Sequence, residues 1–258
     1  MLIGIVLAGR ANTARLQAAA PEAQWEALVP IAGRPMVGHV LDALAGTPGM
    51  ERLIVAGPPE AGGPGVTVVS PGRRVTDSLR HSLDAAPACR DPAAELLIAT
   101  GDAPLLTTGA LEALLAACRA RGLALGYPIV PRALCEARFP GVRRTYVRLR
   151  EGSFTGGNCF YLRGAAVDAA LGLLERFYAE RKRPWRLARL LGWRLLLGLL
   201  LGTAGLTAAE SAGSRLLVLP AGAVLADDPG IGVDVDGPED LELCRRVLAQ
   251  RPALPGNR

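Results

Sequence analysis

Apolar positions along this chain follow two spacings. Short unbroken runs occupy Met1–Ala8 (MLIGIVLA), Arg52–Ala56 (RLIVA), Val66–Val69 and Glu95–Thr100 (ELLIAT). Such runs are the pattern of strands covered on both faces. Between them, Pro35–Ala45, Val75–Ala85 and Thr108–Arg121 carry apolar residues three and four apart, as amphipathic helices do. Pro35 suits a first helical turn. Thr76, and Thr107 or Thr108, are candidate N-caps. The alternation predicts an α/β fold with a doubly wound, mostly parallel sheet flanked by helices in a three-layer sandwich. Sheets of this kind bind ligands beyond the carboxyl ends of their strands, so the loops there are where chemistry is sought.

The second half is less regular. Gly126–Val130 and Asn158–Leu162 (NCFYL) predict strands, Ala165–Glu180 a helix, and Leu216–Leu219 and Val233–Val235 short strands. Pro238–Gln250 predicts a last amphipathic helix, with Glu239 and Asp240 at the positive end of its dipole. The Arg-rich stretch Pro131–Gly152 reads as surface loop or short helices. No repeat or low-complexity linker interrupts the sequence, which predicts a single domain over 1–250 and a frayed Pro- and Gly-containing tail over 251–258. Leu190–Leu206 (LLGWRLLLGLLLGTAGL) is strongly apolar, but shorter than the ~20 residues of a membrane span and broken by Arg194 and glycines. A core helix ending near Gly202 is expected there. The basic stretch Arg181–Arg189 before it leaves open a homodimer or membrane-surface contact through 185–206. No transmembrane span is expected.

Aromatic residues make up only 4% of the 258 residues against 50% hydrophobic ones, so the core must be aliphatic. The net charge of +5 comes almost wholly from Arg, Lys182 being the sole lysine. These arginines are scattered among acids without an aromatic–basic stacking module, and no nucleic-acid partner is expected. Five cysteines, an odd number without a CxxC pair, argue against a disulfide framework or a structural zinc and point to a reducing cytoplasm. The N-terminus lacks a charged leader and a cleavage site and reads as a buried strand.

Three features carry candidate chemistry. Leu7-Ala8-Gly9-Arg10-Ala11-Asn12-Thr13-Ala14-Arg15-Leu16 follows the first strand. A turn of small residues there exposes backbone N–H groups to phosphate, with Arg10 and Arg15 to neutralise it. It lacks the Walker A and GxGxxG patterns, and many tight βα turns look similar. Gly101-Asp102 follows directly on a buried strand. A carboxylate so placed can hold Mg²⁺ against phosphate oxygens, or simply serve a turn. Asp234 and Asp236 alternate in GVDVDGPEDLE and share one face of an extended segment. One of them can share a metal with Asp102; Asp236 can equally cap the following helix. His39 and His81 sit within helical patterns and read as packed or surface residues. Arg143, Arg144 and Arg148 can meet an anionic acceptor or face solvent.

Taken in order, these features resemble the nucleotidyltransferases of the GT-A fold. That group includes sugar-1-phosphate uridylyltransferases, methylerythritol-phosphate cytidylyltransferases, CMP-Kdo synthetases and molybdenum-cofactor guanylyltransferases. The sequence is most similar to the MobA-like branch. Leu28–Val37 (LVPIAGRPMV) looks like the family's L-x-x-[LI]-x-G-[KR]-P-[ML]-[VI] segment, and Ser70–Leu79 (SPGRRVTDSL) is similar to its base-reading stretch. The resemblance implies a nucleotide-binding half over 1–125 and an acceptor-binding half over 126–250. It implies Arg15, Asp102 and Asp236 as catalytic residues, and Mg²⁺ held by Asp102 and Asp236, or Asp234. Leu7, Ala8, Gly9, Arg10, Gly72, Ser78 and Gly101 would bind nucleotide; Gly157, Asn158 and Arg144 would bind the acceptor. The reaction implied is transfer of NMP from a nucleoside triphosphate to a phosphorylated small molecule. A departure accompanies it. The family's P-K-x-L lysine falls within Trp25-Glu26-Ala27-Leu28, so an acid, Glu26, stands in that segment. Two other readings remain. One is a GT-A glycosyltransferase, although the position of that group's central D-x-D motif reads GDAP here. The other is a nucleotide-binding regulatory protein without turnover.

Overall fold

A computed structural model describes residues 1–142, 144–180, 185 and 192–250. The strands are β1 (Leu2–Leu7), β2 (Pro30–Ile31), β3 (Arg34–Pro35), β4 (Met50–Ala56), β5 (Val66–Val69), β6 (Glu95–Thr100), β7 (Leu125–Pro131), β8 (Val147–Leu149), β9 (Gly152–Gly156), β10 (Cys159–Arg163) and β11 (Ala221–Leu225). The helices are α1 (Ala14–Gln17), α2 (Met36–Ala45), α3 (Val75–Ala85), α4 (Thr108–Ala120), α5 (Arg132–Arg138), α6 (Val167–Glu180), α7 (Trp193–Leu201), α8 (Leu206–Leu217) and α9 (Pro238–Ala249).

One nine-stranded sheet runs β5-β4-β1-β6-β10-β7-β9-β8, with β11 also paired to β7. The pairs β1–β4, β1–β6, β4–β5 and β7–β11 are parallel, and β10, β9 and β8 add antiparallel pairs. The alternation of β1 explains the layers. Leu2 and Val6 pack on one face with Leu44 of α2 and Leu111 of α4. Ile3 and Ile5 pack on the other with Leu83 of α3 and Leu171 of α6. Strands buried on both faces need apolar residues at every position, which is what the unbroken runs supply.

From β1 the polypeptide steps one way to β4 and β5, then returns to place β6 on the other side of β1. This reversal opens a crevice beyond the carboxyl ends of β1 and β6. A further cluster joins Leu16 and Ala20 to Val235, Leu241 and Cys244, pinning the loop after β1 against the C-terminal helix. Distant parts of the sequence therefore meet beyond the carboxyl end of the central strand β1.

Several expectations change. Thr76 does not cap α3 but is buried within it; the Asp77 carboxylate accepts from the Arg74 N–H at 3.1 Å instead. Thr107 caps α4, accepting from the Ala110 N–H. Leu216–Leu219 is not a strand. Its first residues close α8, whose apolar stripe they complete, and the strand follows at Ala221–Leu225 once Val218 has turned the backbone at φ 60°. Val233–Val235 is extended but pairs in no ladder; Val233 and Val235 point inward as alternation requires. The 131–152 region contains α5 and the first strand of a β8–β9 hairpin. The apolar 190–206 segment forms α7, which stops at Gly202 as expected but buries none of its residues fully. Arg143, the basic residues of 181–189 and the tail 251–258 lie outside the described residues.

Candidate active site

The loop after β1 is held open by its neighbours. The Ala8 N–H donates to the Ala56 carbonyl, and residues 10–12 pair with residues 24–26 through Asn12 N–H to Gln24 and Glu26 N–H to Arg10. The Asn12 amide Nδ2 donates to the carbonyls of Ala20 and Ala23, closing the far side of the loop. Among the described residues, no hydrogen bond uses the N–H groups of Gly9, Arg10 or Ala11. Gly9 lies against Pro71, where a Cβ would come within 2.3 Å of the Pro71 Cβ. The loop and the 70–79 stretch are thereby brought together. Within that stretch the buried Ser78 hydroxyl accepts from the Gly72 N–H at 2.9 Å. Ser78 therefore shapes the loop from inside, and Pro71, next to Gly72, makes the contact with Gly9.

Asp102 follows β6, beside the same loop. The Gly101 N–H donates to the Leu7 carbonyl, and a side chain at Gly101 would press on Ala8 at 3.0 Å. The Val235 N–H donates to the Asp102 carbonyl at 2.9 Å. That single bond sets the Asp234–Asp236 segment alongside Asp102. With Val233 and Val235 turned into the core, both aspartates face the crevice side. The Asp102 Oδ1 atom is buried without a hydrogen-bond partner. Burial, with Asp234 and Asp236 nearby, raises its pKa above the ordinary carboxylate value.

Arg10 ties the cluster together. Its Nε lies 3.1 Å from Glu26, and its Nη1 donates to Asp236 at 3.1 Å. The Glu26 side chain is 2% exposed, whereas Arg10 is largely open to solvent. Burial raises the Glu26 pKa; Arg10 opposes the shift, and Asp102 and Asp236 add to it. Glu26 thus points into the site, where it contributes negative charge. Arg15 lies at the rim, 3.5 Å from Glu239, with both side chains at least 70% exposed, and meets no carboxylate of the inner cluster.

At the residues expected to bind an acceptor, the Thr100 N–H donates to the Asn158 carbonyl and the Asn158 N–H to the Ile231 carbonyl. The Asn158 Nδ2 is buried and unpartnered. Gly157 sits where a Cβ would meet Pro128 at 2.7 Å. Arg144, mostly buried, pairs with Asp234 and stands 3.7 Å from Asp240. Three residues escaped sequence reasoning as site residues. Asp240 accepts from the Asp236 N–H at 3.3 Å and so fixes that turn; its place in a helix's first turn suggested only a dipole role. Tyr127 and Phe160 stack with ring centroids 5.5 Å apart, and Gly156 leaves room for the Tyr127 hydroxyl. Tyr127 lies close enough to Asp234 for that charge to raise its pKa, after the larger effect of burial. Two aromatics in separate strands gave no spacing signal.

The arrangement offers free N–H groups, a solvent-facing cation and clustered carboxylates at a strand switch point, which suits a phosphate-bearing ligand with a divalent cation. Residues 4–175 match the family model of the MobA-like NTP transferase domain. A hypothetical transferase from Thermus thermophilus is 41% identical, with a TM-score of 0.79 over 93% of this chain and 98% of that one. CMP:2-keto-3-deoxy-manno-octonic acid synthetase, solved with CTP, shares the fold at 17% identity and a TM-score of 0.57, over 97% of this chain and 99% of that one. So does 2-C-methyl-D-erythritol 4-phosphate cytidylyltransferase from Thermus thermophilus, at 17% identity and 0.55, over 96% and 100%. No curated protein sequence matches the chain. With a mixed α/β sheet of nucleotidyltransferase type and a family match across most of its length, the chain belongs to the MobA-like NTP transferase family.

Proposed function

We propose that this protein is a nucleotidyltransferase that moves NMP from a nucleoside triphosphate to a phosphorylated small molecule. An acceptor phosphate oxygen attacks the α-phosphorus, the bond between the α-phosphorus and its bridging oxygen breaks, and pyrophosphate leaves. The observation that carries this reading is the meeting of Asp102, Asp236 and Arg10 beside the unpaired N–H groups of Gly9–Ala11. Catalysis of this kind is mainly positioning and neutralisation of charge.

The residues fit Mg²⁺. Asp102 Oδ1 is buried and without a partner, and carboxylate oxygens are the donors that Mg²⁺ takes. Among the described residues no three acidic, His or Cys groups converge on one point. Asp102 and Asp236 would therefore be the protein ligands, with phosphate oxygens and water completing the shell, as is usual for Mg²⁺. Asp234 is the weaker choice, because Arg144 already holds it. Bound there, the ion would supply charge neutralisation and polarise the α-phosphate.

The protein's own groups supply the rest. The N–H groups of Gly9, Arg10 and Ala11 orient phosphate, and Arg10 exchanges its carboxylate partners for phosphate oxygens. The buried Asn158 amide and Gly157 border the acceptor, with Arg144 steadying the Asp234–Asp240 turn. Pyrophosphate release assayed with each common NTP, Mg²⁺ and a panel of phosphorylated acceptors tests the reading. Asp102→Asn lowers release by about a hundredfold, the usual loss for one electrostatic group; unchanged release overturns the assignment of the site.

One observation favours a second reading. Glu26 occupies the segment where a lysine is expected and neutralises Arg10, as suits a nucleotide-binding regulator without turnover. Calorimetric NTP binding, without pyrophosphate release against any acceptor, identifies that case.

A further inference from the structure

α7 has two apolar faces and only one is used. Leu195 and Leu199 pack with Ala204 against Ile129, Leu149 and Phe154. Trp193, Leu197, Leu200 and Leu201 form a second stripe at positions i, i+4, i+7 and i+8, and all four are exposed, Leu200 at 77%. Trp185, at 65% exposure, precedes them in sequence. Two of the protein's three tryptophans thus face solvent within nine positions. A single exposed leucine means little, but a contiguous stripe of this kind marks a contact surface.

The charge of the adjoining sequence favours one kind of occupant. From 181 to 209 the sequence holds six Lys or Arg residues and no acid. A groove of about 770 Å³ between α7 and α8 has Gly198, Ala204 and Ala208 along it and is lined by Arg194, Arg215 and Arg150, the last paired with Glu151 at 3.5 Å. An isologous contact with a second copy would bring two such positive segments together, which is unfavourable. A negatively charged surface with an apolar interior complements them. Nine helical residues span about 14 Å, half of a ~30 Å hydrocarbon core, and among the described residues no helix is long and apolar enough to cross a membrane. Leucine, tryptophan and arginine on one short helix suit a position in the interface plane, with Trp at the headgroup level.

We propose that the exposed face of α7 docks this protein on anionic phospholipid membranes. The stripe enters the headgroup boundary, and Arg194 on the same helix meets lipid phosphates. Co-sedimentation of the full-length protein with vesicles tests this. Partitioning is at least about tenfold stronger on phosphatidylcholine vesicles containing phosphatidylglycerol than on phosphatidylcholine alone, and it weakens at high salt. The double variant L200E/L201E changes only exposed positions and keeps its circular dichroism spectrum, yet loses at least about tenfold in partitioning. Absence of partitioning on the anionic vesicles overturns the proposal, as does equal partitioning of the variant. A wild-type dimer by light scattering that L200E/L201E converts to monomer also overturns it, because the stripe is then covered by a second copy.

Discussion

Asp102→Asn should make the protein more stable and less active. The Asp102 carboxyl lies at the carboxyl end of β6 with Oδ1 buried and unpartnered. Burial, and then Asp234 and Asp236, raise its pKa above the ordinary 3.8. A group whose folded pKa is raised stabilises fully below its unfolded value, and that contribution is lost as pH rises through the folded one. Asparagine keeps the shape and removes the charge. An unsatisfied buried polar group costs about 1–3 kcal/mol. Because asparagine leaves a polar oxygen in the same place, the gain falls near the low end, about 1 kcal/mol at about pH 8. It fades as acidification protonates the aspartate in both the folded and the unfolded state. For a protein of this size that is roughly 2–4 °C in Tm. Urea unfolding of both proteins in EDTA, at mildly alkaline and acid pH, measures it; EDTA removes any stabilisation by a bound cation. A loss of stability at alkaline pH, or a gain that does not shrink on acidification, would refute the view of Asp102 as a buried charge that its Thr100 and backbone contacts only partly offset.

Other outcomes follow from the same geometry. Arg10→Ala strands the buried Glu26, whose folded pKa is already raised by burial; the variant loses about 1–3 kcal/mol near pH 8 and progressively less as acidification protonates Glu26, which then needs no cation. A pH-independent loss in urea titrations counts against that pairing. Gly9→Ala forces the loop away from Pro71, weakening NTP affinity in calorimetry and lowering stability by about 1–3 kcal/mol. Retained affinity would show that the loop does not cradle phosphate. All five cysteines are buried and outside any disulfide, and burial pushes the Cys118 thiol up to about 12. Their reaction with DTNB is slow in the native protein and complete in urea; fast native labelling contradicts this packing.

The strands and helices of the first half were legible because burial on two faces and burial on one leave different spacings. Leu2–Leu7 and Leu96–Ala99 admit no polar side chain inside a sheet covered on both sides, and α2 and α4 show a clear stripe. Spacing failed where short apolar runs fit either period: Leu216 and Leu217 end a helix but read as a strand. It failed again at β8, a three-residue strand at the sheet's edge with exposed Val147 and Arg148. Hydrophobicity alone also suggested burial for α7, since composition cannot say which side of a helix has a partner. At the site, the positions of Asp102 and Asp236 were readable from their place after strand-like runs. The pairing of Arg10 with both Glu26 and Asp236 was not, because it depends on how three separate segments converge. The same holds for Asp240 and for the Tyr127–Phe160 stack.

The most direct test of the account is a thermal-shift comparison of ATP, CTP, GTP and UTP, each with and without Mg²⁺, on the wild type and Asp102→Asn. Binding to the folded state raises stability by RT ln(1 + [L]/Kd), about 2.7 kcal/mol at a hundredfold excess over Kd. The account predicts a base-dependent upward shift of several degrees that requires Mg²⁺ and is largely lost in the variant. No shift with any triphosphate, or an equal shift in the variant, would contradict a nucleotide site built on the Gly9 loop and Asp102.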